Sequence, residues 1–144
     1  MSKNPLLPLA AVLAAVALVI WVLLSMHWGL GRLLLGGFLL VHGWVHVFFA
    51  IPEPAQAAAA GKRVGLTARE TRLVGTGLAA AVAIGFLLAG LATILPSGLW
   101  PALVAISSVA SLVLLAFFFS RQLILGVVID AVLLWVVVAG VWAP

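Results

Sequence analysis

Cysteine is absent from this chain of 144 residues. Its absence excludes a disulfide framework, a thiolate metal site and a thiol nucleophile, and it leaves the redox compartment open. Charge is scarce as well. Only 7% of the residues are charged, whereas a soluble domain carries roughly 25% because it must clothe itself in groups that water solvates. With 67% hydrophobic residues the chain has no means of doing so, and a bilayer is the solvent that accepts that much apolar surface. Seven Lys and Arg residues against three acids give a net charge of +4. The bases sit at the ends of apolar runs, in no basic stripe and no RNA-binding motif, so nucleic acid is not an expected partner. They read as topology signals and as contacts to anionic lipid headgroups.

What is present is a series of long apolar runs. About 20 residues at 1.5 Å each cross a hydrocarbon core of about 30 Å. Five runs reach that length, over residues 5–26, 30–51, 71–95, 99–119 and 122–142. The first is too long for a signal-peptide core and no cleavage site follows it, so it is read as a retained helix. The expected fold is therefore all-α, a single integral membrane bundle of five transmembrane helices with a cytoplasmic loop over residues 52–70.

The breaks between runs have local causes. "HWGLGR" places two glycines and Arg32 after the first run, and "IPEPAQAAAAGKR" ends the second with Pro52 and Pro54. The alanines that follow suit either a short surface helix or a plain linker. Thr67 and Glu70 in "TARE" have the spacing of a capping box, so the third helix should begin a turn before the membrane. "LPSGLWP" is a tight turn, and "FSRQ" marks a hairpin mainly through Arg121.

Five crossings put Lys3, Lys62, Arg63, Arg69, Arg72 and Arg121 on one side and Arg32 alone on the other. The positive-inside rule then places the N-terminus in the cytoplasm and the C-terminus outside, in the cell membrane. Trp28, Trp100 and Trp142 fall at the outer ends of their runs, as an aromatic belt requires. Trp21, Trp44 and Trp135 are expected as buried or lipid-facing bulk, and His27 as an interfacial residue. Helices in lipid gain from close packing, so the small residues Gly77, Ala81, Gly85 and Ala89 form a candidate packing stripe. Ala10, Ala14, Ala11 and Ala15 offer a lesser one.

Polar groups inside the runs carry the functional signal. Insertion scales put a mid-membrane Asp at roughly 2.5–3.5 kcal/mol. Asp130 lies about 12 Å from the inner end of its run, with Arg121 on the opposite side of the helix. His46 and His42, in "LLVHGWVHVFFAIPEP", lie about 8 and 14 Å from theirs, about 40° apart around one helix. Ser111 reaches the same level, with Ser107 and Ser108 a turn farther out as helix packers. Gly36, Gly43 and Gly126 would let neighbouring helices come close. A buried pocket of His42, His46, Asp130 and Ser111 is the candidate site, held as structural glue or as a group that exchanges a proton.

No cofactor is expected. His42 and His46 at i and i+4, with Asp130 as third ligand, suit one metal ion, yet "HGWVH" lacks the glutamate of the zinc-protease helix. Two axial haem ligands belong on opposite faces of the ring, and these two histidines share one helix face. Loop 52–70 offers only Glu53 and Glu70 as acids, both expected in solvent, so a non-enzymatic role is expected. The leading expectation is an accessory subunit or a lipid or small-molecule binder, in contact with membrane lipids and open to assembly as a homo-oligomer or in a larger membrane complex. The competing class is a proton-coupled transporter or channel subunit; carriers commonly carry internal repeats, and none is visible here.

Overall fold

The computed structural model describes residues 28–48, 53–95, 97–118 and 123–141. The run over residues 5–26 with its alanine pairs, Lys3, Trp21, His27, Pro52, Arg121 and Trp142 lie outside the described residues. Within them the fold is helical throughout: α1 (Trp28–Phe48), α2 (Pro54–Val64), α3 (Ala68–Ile94), α4 (Trp100–Phe117) and α5 (Ile124–Val138). Three of these, α1, α3 and α4, are long and apolar enough to cross a membrane. The fifth predicted run is realised as a shorter helix of 15 residues, closed by Gly140 at φ 61°.

Local chemistry sets the helix ends. Pro54 opens α2, where its fixed φ suits a first turn and its missing N–H has no helical partner to lose. Gly65 closes α2 in the left-handed region at φ 74°, and the N–H of Leu66 reaches back to the Gly61 carbonyl at 3.0 Å. The alanine-rich segment is thus a helix, seated against α3 through Ala57, Ala60 and Gly61. The capping box forms: Thr67 Oγ1 accepts from the Glu70 N–H, and Glu70 Oε2 accepts from the Thr67 N–H at 2.8 Å. Such a cap contributes about 1 kcal/mol and starts α3 at Ala68, ahead of its apolar run. Glu53 and Glu70 are both exposed.

The helices follow one another antiparallel. A Cβ on Gly36 would lie 2.8 Å from the Gly90 carbonyl, and one on Gly43 would lie 2.9 Å from both the Ala83 carbonyl and Phe86 Cβ. Rising numbers on α1 therefore meet falling numbers on α3. Gly126 on α5 faces Leu115 on α4 and Asp130 meets Ser111, so rising numbers on α5 meet falling numbers on α4 as well. Side chains from four helices fill the core, led by Leu39, Phe86, Val104 and Leu133.

Two packing expectations change. Gly77 and Ala81 are exposed, and the packed side of α3 runs instead through Gly75, Ala79, Val82, Ala83, Phe86, Ala89 and Gly90. A four-residue spacing advances about 40° per step, so from 77 to 89 the stripe winds through about 120° and leaves the interface. Trp100 is 4% exposed and belongs to the core rather than to a belt. It shares one face of α4 with Val104, a turn further on, and that face is turned into the bundle. Trp44 and Trp135 are exposed among many other large apolar side chains, a surface suited to lipid.

The α1–α3 contact is backbone against backbone at Gly43, so the added methyl of Gly43→Ala has no flexible neighbour to push aside. Overpacking of that kind costs about 1–3 kcal/mol. Gly37, on the same helix, has nothing within 4 Å of an added Cβ, and Gly37→Ala should leave stability unchanged or slightly raised. Unfolding midpoints of the two variants in detergent check this, and equal midpoints would refute the packing described.

Candidate functional site

Helical spacing puts His42 and His46 one turn apart on the side of α1 that faces α3, α4 and α5. Gly43 lies between them and gives up its side chain to α3, which brings Phe86 beneath both rings. The Phe86 ring meets His42 edge-on at 4.7 Å and stacks near His46 at 5.7 Å, centroid to centroid. On the other flank Phe38, one turn before His42, stacks on it at 5.8 Å. The two imidazoles are thus held by aromatic faces, with few directions left open to their nitrogens.

Those nitrogens reach polar partners. His46 Nδ1–H donates to the His42 carbonyl one turn back, at 2.9 Å. That bond settles the tautomer at Nδ1 and turns Nε2 toward Ser111 Oγ, 2.8 Å away. His42 Nε2–H donates to Asp130 Oδ1 at 3.0 Å. Asp130 Oδ2 lies 2.5 Å from Ser111 Oγ. The result is one continuous chain from His42 through Asp130 and Ser111 to His46, joining α1, α4 and α5. Asp130 and Ser111 are completely buried, and both histidines nearly so. Among the described residues no Lys or Arg takes part, and the carboxyl group is held there by imidazole and hydroxyl.

All four predicted site residues are therefore brought together. Ser107 and Ser108 behave differently. Both are buried; Ser107 presses its hydroxyl against Gly85, and Ser108 Oγ has no hydrogen-bond partner among the described residues. Phe86 and Phe38 were not identifiable as site residues, because a phenylalanine in an apolar helix reads the same whether it packs on a histidine or on lipid.

Beside the cluster lies a cavity of about 410 Å3. Its walls are Phe38, Val41 and Val45 from α1, Leu114 and Leu115 from α4 with Phe118 just past its end, and Leu125 and Ile129 from α5. The polar groups on it are His42, His46 and Gln56 of α2. Gln56 joins them with no motif or spacing to mark it beforehand. Asp130 and Ser111 stand behind the histidines rather than on the wall.

Ligand atoms of His42, His46 and Asp130 lie within 4.8 Å of one another, which is a spacing from which a metal site can be drawn together. Each of those residues is already engaged in the hydrogen-bond chain, so an ion would have to replace bonds that now satisfy buried groups. The two histidines project from one side of one helix, and the other described helices carry no histidine for the opposite face of a haem ring.

Comparison with protein-family models, with curated proteins and with solved structures finds no match to this chain.

Asp130→Leu would strip His42 Nε2–H and Ser111 of their shared acceptor, and a buried group left unsatisfied costs about 1–3 kcal/mol. Asp130→Asn keeps both contacts, its carbonyl accepting from His42 and its amide donating to Ser111. The leucine variant should unfold well before the parent in detergent, and the asparagine variant close to it. A leucine variant as stable as the parent would mean that the bonds do no more than offset the burial of the acid.

Proposed function

We propose that this chain is a multi-pass protein of the cell membrane that binds one small lipid-soluble molecule carrying a polar end, in the cavity beside His42 and His46. The cavity carries this reading. Sites for small molecules are mostly apolar recesses of about 300–1,000 Å3 with a few placed polar groups. Here the apolar walls come from three helices, and the polar groups are two buried imidazoles and one amide. The imidazoles are fixed by Phe38, Phe86 and the hydrogen-bond chain, so little ordering is required when a ligand arrives. Among the described residues of the cavity wall no nucleophile stands beside a base, and the role is binding, alone or as a subunit of a larger membrane assembly.

The membrane orientation proposed is cytoplasmic for the N-terminus and for α2. Lys62, Arg63, Arg69 and Arg72 are all exposed at one end of the bundle, whereas Arg32 lies toward the other, where α1 begins. The absence of native cysteine makes this easy to check. In intact cells an impermeant maleimide should label Gly98→Cys, in the α3–α4 turn, and should label Ala59→Cys on α2 only after permeabilisation. The reverse pattern would invert the topology.

Native mass spectrometry of protein released from membranes tests the binding reading. It should show a small lipophilic adduct that organic extraction recovers. Ile129→Trp, which fills the cavity from α5, should lose that adduct and keep the fold. An unliganded parent, or an adduct unaffected by the tryptophan, would end the proposal. The runner-up is proton-coupled transport, favoured by the chain of hydrogen bonds. In proteoliposomes, proton flux that disappears in Asp130→Asn would replace binding with transport.

A further inference from the structure

The hydrogen-bond chain can be made to count its own protons. Each close polar contact needs one hydrogen between its two heavy atoms. Ser111 takes part in two such contacts, with His46 Nε2 at 2.8 Å and with Asp130 Oδ2 at 2.5 Å, and its hydroxyl supplies one hydrogen. The second must sit on His46 Nε2 or on Asp130 Oδ2. The ordinary neutral imidazole cannot provide it, because the single N–H of His46 is already committed at Nδ1 to the His42 carbonyl. A neutral His46 beside an ionised Asp130 would thus leave a pair of lone pairs facing each other across one of the two contacts.

We propose that His46, Ser111 and Asp130 form a proton-transfer chain that holds one mobile proton, kept either as imidazolium with carboxylate or as neutral imidazole with carboxylic acid. The step between the two forms balances. The N–H bond at His46 Nε2 breaks as Ser111 Oγ takes that proton, and the serine O–H proton passes to Asp130 Oδ2. One proton has then moved from nitrogen to oxygen, and Ser111 has turned from donating toward Asp130 to donating toward His46. No other reagent is needed. His42 donates to Oδ1 in both forms and does not move.

Charge agrees with the count. In the first form His46 carries plus one and Asp130 minus one; in the second both are neutral. Either way the cluster sums to zero, as burial away from every cation among the described residues demands. The surrounding groups leave this undisturbed. Within the described helices, α4 has no titratable side chain, α5 has only Asp130, and α1 adds only Arg32, ten residues before His42. Arg69, Glu70 and Arg72 of α3 and Lys62 and Arg63 of α2 are exposed.

This inference rests on the bonds of the cluster and is independent of whether a ligand fills the cavity. It is read in protein reconstituted in nanodiscs, with 15N-labelled histidine and infrared spectra. His46 signals are assigned by loss in His46→Gln, and the Asp130 carboxyl stretch by loss in Asp130→Asn. Near neutral pH the parent should show His46 Nδ1 protonated throughout. The fraction of His46 protonated at Nε2 and the fraction of Asp130 protonated should sum to one. Ser111→Thr, which retains a hydroxyl, should preserve proton exchange between His46 Nε2 and Asp130 Oδ2, and Ser111→Ala, which removes the bridging hydroxyl, should abolish that exchange while the sum stays at one. A parent with neutral His46 and ionised Asp130, or with both groups protonated, would overturn the proposal without recourse to any variant. So would proton exchange between the two groups that is unchanged in Ser111→Ala.

Discussion

The two oxygens of Asp130 decide where three helices of this protein meet. A carboxyl group with no exposure, and no cation near it among the described residues, has to find its partners within the bundle. One oxygen takes His42 from α1 and the other takes Ser111 from α4, so α1, α4 and α5 are tied at one level. His46 closes the chain from one turn further along α1. The apolar helices around the cluster have many ways of sliding past one another at little cost, because lipid and core are alike to a leucine. The polar contacts have one register in which every group is satisfied. They act on specificity as much as on stability, and they explain why the last helix, the shortest of those that pack into the core, sits where it does.

The cluster also depends on glycine. Gly43 stands between the histidines in sequence and faces the Ala83 carbonyl in space, so the backbones of α1 and α3 approach without an intervening side chain. That approach seats Phe86 against both imidazoles. Gly36 and Gly90 repeat the arrangement two turns away, each facing the carbonyl of the other. The polar chain and the glycine contacts lie on different sides of α1 and support each other: one holds α5 and α4, the other holds α3.

Much of this could be read from residues alone, and the limits have physical causes. Depth along a helix is set by a fixed rise, so counting from the ends of the runs placed His42, His46, Ser111 and Asp130 in one layer, where they are found. Gly36 and Gly43 were identifiable because a residue without a side chain beside a polar group has few uses other than close approach. The capping box was legible because it is short and local. The stripe from Gly77 to Ala89 misled because its four-residue step drifts around the helix. Trp100 misled because its position at the end of a run says nothing about the direction its ring faces. The partner of each imidazole nitrogen was beyond reach, since it depends on rotamers and on the distance between helices that are remote in sequence. The cavity was equally out of reach, being a shape left between walls.

The length of α5 carries a last implication. Fifteen helical residues extend about 22 Å, short of a hydrocarbon layer of about 30 Å. A bilayer responds to a short apolar segment by thinning around it, at a modest elastic cost. On the five-span topology proposed above, headgroups and water would dip toward the bundle along the flank that presents Leu125 and Ile129, which is also a wall of the cavity. Hydrophobic mismatch would then make this flank the most accessible from the aqueous phase, and membranes of lesser thickness the more comfortable host.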